Sequence, residues 1–138
     1  MNDPTTTPGE QPGAATGGVR RLLQAEGLAL FASALLFYML SGSSWWWFLV
    51  LFFVPDISFA AYLGGPRIGA TVYNIFHATI GPFVLAFLGL ILLSPPLESV
   101  ALIWLAHIGF DRMVGYGLKY NAGFGFTHLG RIGRAAQD

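Results

Sequence analysis

The 138-residue chain has no cysteine, and only 10% of its residues are charged. Without cysteine there is no disulfide, no thiolate metal site and no thiol nucleophile, and redox usage says nothing about compartment. Lys plus Arg equal Asp plus Glu at 7 each, so no basic surface favours nucleic acid, and no such partner is expected. GFGFTHLG at 123–130 has no strand before it and no phosphate-cradling helix after it, which excludes a dinucleotide fingerprint. What is abundant is apolar: 54% of residues are hydrophobic, with 12 Phe and 4 Trp. A soluble domain of this size has too much surface for so few charges.

Apolar runs at Leu22–Leu40, Trp45–Leu63, Ile68–Leu93 and Ser99–Leu118 are each near or above the roughly 20 residues that cross a ~30 Å hydrocarbon core as helix. Strands are excluded because an open sheet in lipid leaves backbone groups unpaired. The expected fold is therefore an all-α bundle of four transmembrane helices, at about 20–40, 45–64, 67–93 and 98–118, in one domain spanning 19–134. Residues 1–18, rich in Pro, Thr and Gly, read as a disordered tail, and 119–138 as a short interfacial segment. Arg20 and Arg21 before the first run imitate a signal peptide, but the run is long, contains Glu26 and lacks a cleavage pattern, so it is read as a permanent helix.

Zero net charge conceals an asymmetry. If connections alternate sides, one side receives Arg20, Arg21, Arg67, Lys119, Arg131 and Arg134, and the other only Glu98. Basic flanks stay cytoplasmic, which places both termini inside and the turns at 41–44 and 94–98 outside. Trp45, Trp46 and Trp47 then fall at the outer interface and Tyr116 and Tyr120 at the inner one.

The polar residues inside the runs carry the chemistry. Measured inward from the nearest cytoplasmic flank at ~1.5 Å per residue, Glu26, Asp56, Asp111, His77 and His107 lie about 9 to 18 Å deep, in one slab. A carboxylate facing lipid there costs at least ~2.5 kcal/mol, so these groups should face the interior, pair, or stay neutral. His107 and Asp111 are i,i+4 on one face, and Tyr73 and Asn74 share the face of His77, where each could hold a carboxylate or a water. Pro55 should break its helix beside Asp56 and free a carbonyl near Phe52, and Gly81-Pro82 should interrupt the next helix above His77. Ala25, Ala29 and Ser33 form a small-residue stripe for close packing, with Glu26 one position away.

Three functions of different class fit this cluster. The first is structural, with Asp and His hydrogen-bonding the bundle together at roughly 0.6 kcal/mol per contact. The second is a divalent metal site in an enzyme, with His77, His107 and Asp111 as ligands, Asp56 or Glu26 as ligand or base, and Tyr73 and Asn74 as supporting groups. The third is a proton or small-solute pathway, in a homo-oligomer because four short helices enclose little volume. Arg112 points about 100° from Asp111 and is placed with Lys119, Arg131 and Arg134 at lipid headgroups. The glycines of NAGFGF permit the chain to fold back, so His128 is either a third imidazole capping the site or a residue of an interfacial loop.

The stretches RLLQAEGLAL, PDISFAAYLGGPRIGA, YNIFH, HIGFDRMVGYGLKY and FTHLGRIG resemble the small bacterial integral membrane proteins catalogued as domain of unknown function 4260, over about Arg21 to Gly133. The resemblance implies a four-helix membrane protein, with Glu26, Asp56, Tyr62, Asn74, His77 and His128 in its blocks, and the chain is read as a protein of the bacterial inner membrane. The resemblance implies no activity.

Overall fold

The computed structural model describes residues 14–133; most of the expected tail, and Arg134, lie outside them. The first apolar run forms α1, Gly17–Ser41, closed by Gly42 in the left-handed region at φ 69°. The second is not one α-helix. It starts as α2, Trp45–Phe52, with the Ser44 hydroxyl accepting from the Trp46 amide at its N-terminus. It then tightens into a 3-10 segment, Val54–Gly64, with Pro55 in its first turn. Proline has no N–H to donate and its ring clashes with the preceding turn, so the break falls where the sequence places it. Eleven residues is long for a 3-10 helix, whose runs rarely exceed 3–4.

The third run is also divided. α3, Pro66–His77, ends at Ala78 in extended conformation, and α4, Ile80–Leu92, carries the chain onward. The last helix is α5, Pro95–Val114. It stops four residues before the expected boundary at 118, because Gly115 at φ 96° takes the left-handed cap and the Tyr116 amide returns to the Asp111 carbonyl at 2.7 Å.

α1 and α5 pack antiparallel along their length. Gln24 donates to the Met113 carbonyl at 3.3 Å at one end, and the Ser43 and Ser99 hydroxyls meet at 2.7 Å at the other. Between them Gly27 lies against Arg112 and Met113, and Gly109 against Phe31 and Gly27, so close that a methyl at either position would strike backbone. The expected stripe of Ala25, Ala29 and Ser33 is exposed; the buried positions of α1 are Gly27, Ala34 and Tyr38. Glycine wins the contact because its missing Cβ admits a neighbouring backbone closer than alanine can. Ala34, Leu105 and Ala106 form the core with Leu30, Phe31, Phe48 and Phe52 packed around it.

The remaining elements close on α5. Trp104 donates to the Phe76 carbonyl at 2.6 Å, Gly89 of α4 lies against Glu98, and the 3-10 segment packs on α3 through Phe59 stacked on Tyr73. After α5 the chain folds back, pairing β1, Phe126–Thr127, with β2, Gly130–Arg131, as an antiparallel hairpin. The Ala15 amide donates to the His128 carbonyl at 2.7 Å, so the start of the described chain and its end meet.

Three helical stretches among the described residues are long and apolar enough to cross a membrane: Gly17–Ser41, Trp45–Gly64 and Pro66–Leu92. The fourth expected span is more polar than these. α5 holds Glu98, Asp111 and Arg112 within 20 residues, and it buries seven positions from Ala101 to Gly109 among the other elements. Large apolar side chains such as Phe37, Leu40, Ile57, Ile80 and Ile91 point outward instead, an arrangement suited to lipid.

Candidate metal centre

Each break in the helices places one ionisable group. Asp56 stands in the first turn of the 3-10 segment, just after Pro55, and His77 is the last residue of α3. The other two, His107 and Asp111, come from successive turns of the unbroken α5. The four converge: Nε2 of His77 is 3.1 Å from Nε2 of His107, and 3.5 Å from both an Asp56 and an Asp111 carboxylate oxygen. Nε2 of His107 is 3.4 Å from the same two oxygens. All four atoms lie within 4.8 Å of one another.

The two imidazoles are 3% and 2% exposed, whereas Asp56 is 35% and Asp111 15% exposed. The quartet is therefore sealed on its imidazole side and open on its carboxylate side. His77 is held by its own helix: Nδ1 lies 2.9 Å from the Tyr73 carbonyl, and the Tyr73 ring stacks on it at 3.7 Å between centroids and 10° between planes. A carbonyl only accepts, so Nδ1 carries the proton and Nε2 turns a lone pair to the other three groups. His107 packs edge-on against Phe52, and its buried Nδ1 has no hydrogen-bond partner among the described residues. The Phe52 carbonyl is the backbone group that acts on this ring.

The other candidates are placed elsewhere. Glu26 is exposed on α1 and does not join the quartet; its charge acts on Arg112, half-buried where α5 crosses Gly27. Asn74 does not support His77. Its side chain clamps the backbone of Lys119, donating to the carbonyl at 2.8 Å and accepting from the amide at 2.7 Å. His128 folds back as one expectation has it, but its Nδ1 accepts from the Leu118 amide at 2.8 Å and it is not among the four converging groups. Burial, reinforced by the Arg112 charge, holds its pKa below the usual 6.5. Arg131 lies over the Phe126 ring at 5.2 Å.

Lys119 departs furthest from expectation. Instead of reaching headgroups it is 4% exposed, because the fold-back of residues 120–131 covers it. Its ammonium donates to the Phe124 carbonyl at 2.7 Å and lies 3.7 Å from the Phe124 ring centre and 4.9 Å from that of Tyr73. Burial pulls its pKa from 10.5 to about 8, with Asp111 opposing, so at neutral pH the group keeps its charge. Lys119 and both carboxylates line one cavity of about 290 Å³, walled by Phe59, Tyr73, Tyr116 and Phe124. The sequence signal for this cavity was a lysine at the end of an apolar run, followed by glycines and aromatics that allow the chain to double back over it.

Comparison with curated proteins and with solved structures finds no match. The family model described as Domain of unknown function (DUF4260) matches residues 20–132, a stretch holding all four converging groups, and the chain belongs to that family.

Proposed function

We propose that this is a membrane metalloprotein in which His77, His107, Asp56 and Asp111 hold one divalent ion. The observation that carries the reading is a match of lengths. Four ligands each about 2.0–2.1 Å from a shared centre, as zinc takes imidazole nitrogen and carboxylate oxygen, stand about 3.3–3.4 Å apart at the corners of a tetrahedron. Five of the six separations run from 3.1 to 3.5 Å, and the sixth, between the two carboxylate oxygens, is within 4.8 Å, on the side where the site is open. Charge supports it too. Two carboxylates in a low-dielectric slab cost at least ~2.5 kcal/mol each on insertion scales, and one dication balances both. The donor set of two imidazoles and two carboxylates suits zinc or ferrous iron.

An ion held by all four groups would supply Lewis acidity, and a water joining as a fifth ligand on the open carboxylate side would have its pKa lowered, which fits hydrolysis of a membrane-proximal substrate. Glu26 is too exposed and too remote for a base, and Asp56 acts as a ligand in this arrangement. The site opens on the side where the two ends of the described chain meet. With α5 as a fourth crossing, that side is cytoplasmic by the distribution of basic residues, in the inner membrane.

A second reading keeps the quartet purely structural. It is favoured by the 3.1 Å contact between imidazoles, which a single shared proton also accounts for. Elemental analysis of protein purified in mild detergent without chelator separates the two. One metal per chain is expected, lost in His107→Ala and Asp111→Asn and retained in His128→Ala, with helical content unchanged. Wild-type protein free of metal, and taking up none when zinc or ferrous iron is supplied, would leave only the structural reading.

A further inference from the structure

We infer that the cavity between the quartet and Lys119 is a binding site for a small molecule carrying a single carboxylate on an apolar or aromatic body. This rests on the metal reading above and names the ligand that the centre would take. The first step is a charge count. With two neutral imidazoles and two carboxylates around a dication the quartet is neutral, and Lys119 remains as a positive charge with no carboxylate within ion-pair distance among the described residues. Its only direct polar partner there is the Phe124 carbonyl, a dipole that leaves the charge intact. One anionic charge would balance the loaded cavity. A dianion such as phosphate would face Asp56 and Asp111 with a single cation to offset it.

The second step is shape. Only the carboxylate side of the quartet is open, at 35% and 15% exposure against 3% and 2% for the imidazoles. A group arriving from the cavity therefore meets the open side of the ion with Lys119 beside it. The volume of about 290 Å³ lies at the lower edge of the roughly 300–1,000 Å³ that small-molecule sites occupy. Its other walls are Ile132 and the rings of Phe59, Tyr73, Tyr116 and Phe124, which offer apolar faces and no further cation. Phe124 both walls the cavity and anchors the Lys119 ammonium, so body and charge are recognised by one folded-back segment.

The test uses the full-length protein in detergent micelles loaded with Co²⁺, whose visible absorption reports its coordination, and sodium benzoate as probe. Benzoate should change the cobalt spectrum saturably. Lys119→Met should weaken that response tenfold or more at unchanged cobalt content, Lys119→Arg should restore part of it, and inorganic phosphate should bind more weakly than benzoate. Cobalt bound in full with no response of the wild type to benzoate overturns the inference while leaving the metal centre standing. So does a Lys119→Met protein that responds like wild type, or phosphate binding more tightly. Failure of wild type to bind cobalt at all overturns both. Because the wild-type titration is decisive alone, the inference stays testable even if Lys119→Met does not fold.

Discussion

His77 and His128 have opposite surroundings, and the hydrogen bond each ring makes at Nδ1 decides its role. His77 gives its Nδ1 proton to a carbonyl and so faces its neighbours with a free lone pair. His128 does the reverse, accepting a backbone amide at Nδ1, which requires that nitrogen to be unprotonated. A folded-state pKa below 6.5 means that between that value and 6.5 the unfolded chain binds more protons. The stability contributed by neutral His128 is thus present above pH 6.5 and lost as pH falls below it. The protection factors of the 117–131 amides, which correct for the intrinsic slowing of exchange in acid, should fall on acidification through this window, and His128→Gln should flatten that dependence. A segment equally protected at pH 7 and pH 5 would refute the assignment. The polar residues of the quartet were legible in the sequence from their cost in lipid, and the i,i+4 spacing put His107 and Asp111 on one face. Nothing in the local sequence could show that Asn74 spends its amide on Lys119, 45 residues away.

At the scale of elements, the two helix breaks and the α1–α5 crossing position the site. Pro55 was readable as a break because its chemistry is local. The glycine contact was not: Gly27 and Gly109 look like ordinary interruptions until the antiparallel register sets them against opposing backbone. The expected consequence is that Gly109→Ala, whose new methyl would meet the Phe31 amide nitrogen and the Gly27 carbonyl, destabilises the protein by about 1–3 kcal/mol through overpacking. Gly18→Ala, with open space at its Cβ, should be neutral or slightly stabilising. Reversible denaturation in mixed micelles measures both. Equal stability of the two variants would show that α1 and α5 are not held at this distance.

For the whole molecule, the proposed topology makes the opening of the site a cytoplasmic feature. Reporter fusions after Ser43 and Pro96 should read periplasmic, and those after Gly65 and Asp138 cytoplasmic; a periplasmic signal at Asp138 would mean that α5 does not cross. Hydropathy by itself determined that this is an apolar helical protein and roughly where the long helices run, because the apolar content of a 20-residue stretch needs no knowledge of its neighbours. It also singled out the four groups that converge, since an ionisable group in an apolar run is costly in lipid, although Glu26, placed with them, lies exposed. Which of those charges meet was decided by tertiary structure alone. Glu26 and Asp56 look equivalent in depth and type, yet the 3-10 turn after Pro55 brings Asp56 to the imidazoles, while the close approach of α1 to α5 at Gly27 leaves Glu26 outside. The burial of Lys119 has the same origin: a lysine at a helix end is free to reach water until a distant asparagine and a returning hairpin close over it.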